Sequence, residues 1–209
     1  MLGFVSARRP TLRWRYAEGV GSDRELVQIV DSAMAEAVRK SGAWIVCKPG
    51  CTGCCIGPFP ITTLDAARLR AGLIELEKID PARAARVRAR AAAYLARLPN
   101  YPGDLASGVL SDDADAEERF ATLAEEEPCP ALDPDAGTCD LYSARPITCR
   151  TFGPAVRFGG GPIGICELCY QGATEGQIAA CEVEVDPLGM EEELLAGDER
   201  QTIVAFALR

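Results

Sequence analysis

The 209-residue sequence contains no histidine, which removes the commonest nitrogen ligand for a metal and the usual base near neutral pH. Any bound metal must therefore be held by sulfur, helped at most by carboxylate. Positive charge is also in deficit. There are 22 Lys and Arg against 31 Asp and Glu, a formal charge of −9 with every thiol counted as neutral. Phosphate backbones are bound by cationic surfaces, so no nucleic acid partner is expected. No stretch approaches the roughly 20 apolar residues that span a bilayer, so no membrane partner is expected either. Arg8 and Arg9 are followed by no apolar run, which speaks against an export signal. The expected compartment is the reducing cytoplasm, where cysteines remain thiols or bind metal. There is no internal repeat.

What the sequence does have is cysteine. Four of its ten cysteines fall in CKPGCTGCC, as Cys47, Cys51, Cys54 and Cys55. Cysteines this dense are disulfides, metal ligands or redox groups. Cys54 and Cys55 cannot bridge to each other without strain, and the compartment disfavours other bridges, which leaves metal as the reading. Spacings of two and three residues with Gly or Pro between let a loop turn its sulfurs toward an ion at about 2.3 Å. Neighbouring side chains diverge, so the Cys54–Cys55 pair suits two metal centres, or a cluster of several metal atoms, better than one ion. The remaining cysteines, Cys129, Cys139, Cys149, Cys166, Cys169 and Cys181, form a spaced series some seventy residues on. Ligands split in this way are expected to converge, because a metal contributes most when it closes a long loop.

Between and around the cysteines the pattern is helical. Leu26, Ile29, Val30, Ala33, Met34, Ala37 and Val38 repeat on one face of a helix entered through Ser22, with Glu25 completing a capping box. Further helices are predicted from Thr62, with Leu69, Leu73 and Leu76 buried, and from Asp80, with Pro81 in its first turn. Arg83, Arg86, Arg90 and Arg97 flank the apolar stripe of the latter and read as a solvated face rather than an anion site. An acidic surface helix is predicted over 112–127, another helix containing Cys166 and Cys169 from about Gly164, and closing elements over 190–195 and 202–208. Gly159 to Gly161 reads as a turn, since a phosphate loop needs a strand before it and a helix after it. The fold class expected is mainly α: irregular cysteine-rich loops around a metal centre, supported by a small helical bundle. The organisation expected is an N-terminal arm over 1–21, a cysteine-cluster domain over 22–185 with a helical insertion at 62–127, and a C-terminal segment over 186–209.

The segment CDLYSARPITCR, Cys139 to Arg150, is the most specific part of the sequence. Together with a cysteine run ending in CC, an isolated Cys129 and a last Cys166, it resembles the YkgJ-type cysteine-cluster family, a zinc- or iron-chelating domain. The likeness extends over about residues 45–170. It departs from the family pattern in the three residues between Cys47 and Cys51 and in the helical insertion before Cys129. It implies Cys47, Cys51, Cys54, Cys55, Cys129, Cys139, Cys149 and Cys166 as metal ligands. Cys169, which forms a C-x2-C pair with Cys166, is added as a candidate ligand, and Cys181 reads as core. The centre expected is zinc, slightly preferred, or an iron–sulfur cluster, for which four thiolates also suffice. Arg145 and Arg150, which bracket the ligands, are expected to favour thiolates, the alternative for Arg145 being that it braces the Pro146 turn. Tyr142 is expected to pack over the site. The partners expected are metal ions and a protein partner. Flagellin lysine N-methylases are similar in their cysteine-rich part, which makes an iron–sulfur enzyme the alternative. The C-x3-C-x2-C spacing of Cys47 to Cys54 also matches radical S-adenosylmethionine enzymes, but no preceding strand is evident and the chain is short for that barrel. No nucleophile and base pair is legible, so catalysis stays open.

Overall fold

A computed structural model describes residues 22–98, 100–158, 161 and 163–209. The N-terminal arm lies outside them. Helix α1, Asp23–Ser41, starts where Ser22 Oγ accepts the Glu25 amide at 3.2 Å. Acids in its first turn and Arg39 and Lys40 in its last complement the helix dipole. Helix α2, Thr63–Ile79, is capped by Thr62, and α3, Pro81–Ala96, by Asp80, each cap accepting the amide three residues on. Only Asp80 separates these two helices, so they pack side by side.

The α2–α3 pair does not enclose a core of its own. Leu69, Leu73, Ala84, Val87 and Ala91 bury against Ala131 and Leu141 from the cysteine-bearing segment and against Val204 and Leu208. The last two belong to or follow helix α8, Val204–Ala207, whose residues are all buried. Strand β1, Ile61–Thr62, pairs antiparallel with β7, Gln201–Thr202, and fastens the chain end beside the start of α2.

A second core forms under α1. Leu26, Val30 and Ala37 meet Ile147 of α5, Ile147–Arg150, with Val156, Val185 and Met190. Val156 lies in β4, Val156–Arg157, the centre of a three-stranded sheet. Its neighbours are β5, Ile163–Gly164, antiparallel, and β6, Val183–Glu184, parallel. Helices α6, Glu175–Cys181, and α7, Met190–Leu195, complete this half. The whole is mainly α, as the periodicity predicts.

Two predicted elements differ from those observed. The acidic helix α4 covers only Ala114–Ala121. Phe120 and Leu123 give it one short apolar contact, and Ala124 turns out of it with φ +49°. The acids beyond are used otherwise: Glu127 accepts the Gly57 amide through its carbonyl and pairs with Arg97 through its carboxylate. No helix contains Cys166 and Cys169. Gly164 is committed to β5, Cys166 and Cys169 close a single turn, and the next helix waits for the Thr174–Gln177 capping box.

Candidate metal centre

The segment from Cys47 to Cys55 is two tight turns, closed by Cys51 N–H to Lys48 O at 2.9 Å and Cys55 N–H to Thr52 O at 2.8 Å. Backbone bonds then bring in the distant cysteines. The Cys129 amide donates to Cys55 O at 2.7 Å, and Ile56 bridges to Pro128 beside it. Cys139 ends β3, Thr138–Cys139, which pairs with β2, Leu132–Asp133, so that Leu132 faces Cys139. The tip of that hairpin returns to the first knot, where a side chain on Gly137 would lie 3.6 Å from Gly50 Cα. Cys149 sits in α5, whose first amide, Ile147 N–H, donates to the buried Asp65 carboxylate at 2.9 Å. Cys166 donates its amide to Gly153 O at 3.2 Å. Gly153 itself has φ +116°, and a Cβ there would stand 3.4 Å from the Cys47 sulfur, so glycine suits the turn and the close sulfur alike.

The thiols influence one another, and Cys54 acts on both Cys47 and Cys149. Burial pushes Cys129 up to about 12, with Cys139 adding to it. Burial also raises Cys149, with further repulsion from Cys129, Cys139 and Cys54. Cys55 is lowered because Cys54 donates a hydrogen bond to its sulfur, against burial and the charges of Cys129, Cys139 and Cys149. Cys47 is raised to about 11 by burial and then by Cys169, Cys51, Cys166 and Cys54. Some local groups pull the other way. The Ala131 and Leu132 amides donate to Cys129 sulfur, the Leu141 amide donates to Cys139 sulfur, and Arg145 favours thiolate at both Cys54 and Cys139. Burial thus favours neutral thiol at Cys47, Cys129, Cys139 and Cys149; a divalent ion reverses that balance and releases protons. Among the described residues no three cysteine, aspartate or glutamate side chains already stand as a ligand shell. The arrangement is one of neighbouring thiols, and its all-sulfur donor set fits zinc or iron.

The residues around them take roles that the sequence only partly indicates. Arg83 and Arg90 on α3 both bond the fully buried carboxylate of Asp140, and Arg90 also reaches Pro130 O at 2.9 Å. They are neither an anion site nor a solvated face; they clamp the β2–β3 hairpin. Arg150 is buried and braces the turn, donating to Ser143 O and Arg145 O and pairing with both oxygens of Asp31. Arg145 bonds Tyr142 O and lies 3.8 Å over the Tyr142 ring. Tyr142, 64% exposed, stacks under that guanidinium at the surface. Cys181 is buried and its thiol donates to Lys40 O at 3.5 Å. Asp65 and Asp140 were not legible as site supports, although Asp140 lies inside CDLYSARPITCR; only the fold supplies their partners.

Thiols from two remote segments, gathered on loops over a helical scaffold with no imidazole among them, define a cysteine-cluster protein. The sequence profile of the CxxCxxCC family, described as a "putative zinc- or iron-chelating domain", matches residues 46–167. That is more than half of the chain, and the chain belongs to this family. The match takes in Cys47 through Cys166 and stops short of Cys169. No curated protein and no solved structure matches the chain. No described helix is long and apolar enough to cross a membrane.

Proposed function

We propose that the protein is a structural or metal-chelating zinc-thiolate protein whose ligands come from Cys47, Cys51, Cys54, Cys55, Cys129, Cys139, Cys149, Cys166 and Cys169. Membership of a zinc- or iron-chelating family supports metal binding; the rest is carried by how the loops are ordered. Beside the half-buried Cys55 and Cys166 and the buried Cys169, the large apolar neighbours Ile56, Ile165 and Leu168 are 42–49% exposed. Burial of hydrocarbon, the usual source of order, is therefore incomplete in these loops. Cross-linking of thiolates by a redox-silent ion supplies what burial does not.

Anaerobic purification without added metal, followed by elemental analysis and a visible spectrum, tests this. A colourless protein carrying zinc is expected. A brown protein with iron and sulfide in near-equal amounts would replace zinc by an iron–sulfur cluster and bring the methylase-like alternative forward. A protein free of metal would defeat the reading.

A further inference from the structure

We propose that the thiols divide into two separate centres at the Cys54–Cys55 peptide, and that Cys169 completes the second of them with Cys47, Cys51 and Cys166. The first centre is Cys55, Cys129, Cys139 and Cys149. The inference rests on the metal-binding reading above and adds to it the number of centres, their membership, and a ligand beyond the family match.

The main chain separates the two sets. On the Cys55 side, the Cys129 amide bonds Cys55 O, Gly57 N–H bonds Glu127 O, and the β2–β3 hairpin carries Cys139. On the Cys47 side, apart from the hairpin tip that meets Gly50, the partners are different segments. Tyr170 N–H donates to Trp44 O at 3.2 Å, three residues before Cys47 and one after Cys169. Gly153 accepts the Cys166 amide while its α-carbon faces the Cys47 sulfur. Leu168 lies against Gly53, 3.9 Å from where a side chain there would begin, which closes the turn holding Cys166 and Cys169 over the loop holding Cys51.

Ligand spacing agrees with this division. Cys47 and Cys51 are separated by three residues and Cys166 and Cys169 by two, each within the two-to-four-residue interval by which a tight turn presents two sulfurs to one ion. The Cys169 amide bonds Cys166 O at 2.9 Å, so the pair forms such a turn. Two such pairs would supply the four sulfurs that one tetrahedral ion takes. Cys54 is the one thiol of the Cys47–Cys55 run that neither set of four uses. The contrast with Cys181, which packs in the same cluster as Cys169, is informative. Cys181 gives its hydrogen to Lys40 O and touches no member of either set by a main-chain link.

Titration of the reduced, metal-free full chain with zinc sulfate under anaerobic conditions, read by a competing chromophoric chelator, tests the division. Two tight ions per chain are expected. Cys169→Ala and Cys51→Ser should each leave one, Cys139→Ser should leave one, and Cys181→Ala should leave two. Cobalt in place of zinc should show tetrathiolate charge-transfer absorption, halved in each one-ion variant. Two ions retained by Cys169→Ala would overturn the proposal, as would loss of all metal from every single variant, which marks one shared cluster. Should Cys169→Ala fail to fold, judged by its far-ultraviolet spectrum, Cys54→Ser decides. Two ions in that variant uphold Cys169 as the fourth ligand, and one ion puts Cys54 in its place and overturns the assignment. A wild-type chain that binds no metal overturns the underlying reading as well, whereas a single ion overturns the division alone.

Discussion

At the scale of single residues, the thiols are held by carboxylates that are themselves buried and paired. Asp140 follows Cys139, and its fully buried carboxylate meets Arg83 and Arg90, which are 37% and 24% exposed. Removing the acid frees two guanidiniums that can rehydrate, so the loss is smaller than for a fully buried pair. Asp140→Ala should cost about 2–3 kcal/mol, measured as a lower urea midpoint, and Arg83→Met alone about 1 kcal/mol or less. Glu191 offers a different residue-scale test. Burial, with Asp65, Asp186 and Asp23 nearby and Arg68 opposing, raises it from 4.5 to about 7. The native state therefore binds a proton that the unfolded state has released between those values, and stability falls as pH rises from 4.5 to about 7. Glu191→Gln should remove that slope and be the more stable protein at pH 8, by roughly 1 kcal/mol after solvent screening, or about 2–4 °C in Tm.

At the scale of elements, α2 reaches the CDLYSAR segment because Gly72 has no side chain. A Cβ there would meet Ala144 Cβ at 2.3 Å, far inside contact distance. Two effects oppose each other in Gly72→Ala: helix propensity favours alanine by about 1 kcal/mol, while overpacking costs about 1–3 kcal/mol. The overlap is too deep for a small shift, so net destabilisation is expected. Adding Ala144→Gly should restore much of the loss, and a double-mutant cycle on unfolding midpoints checks the coupling. Asp65 works at the same scale, since it bonds both Arg68 and the Ile147 amide and so ties α2 to α5 and to Cys149.

At the scale of the whole molecule, helices and loops draw order from different sources. The α2–α3–α8 core and the α1 core are hydrocarbon, whereas Val46, Ile56, Phe152, Ile165 and Leu168, next to or near the cysteines, stay 42–51% exposed. Metal removal should therefore act unevenly. Chelator under reducing conditions is expected to lower Tm and open the chain to protease between residues 47 and 57 and between 129 and 170, with most of the helical signal kept below the transition. An unchanged Tm after verified metal loss would count against a structural role. Helix α8 is buried in the core that carries Ala131 and Leu141, which join Cys129 and Cys139 to the helices.

The sequence alone pointed to the donor chemistry and determined the three long helices. Absent histidine, ten cysteines and CDLYSARPITCR specify a thiol site, and α1, α2 and α3 were legible because their apolar period and caps are local properties. The tertiary structure decided what depends on distant partners. It made Arg83 and Arg90 clamps for Asp140 and buried the final residues Val204–Leu208 against α2 and α3. It kept Cys166 and Cys169 out of a helix, because Gly164 pairs with Val156 across the sheet. It also set Cys129 beside Cys55 and Gly153 beside Cys47. Spacing along the chain fixes which sulfurs can turn together, but only long-range backbone bonds decide which turns face each other.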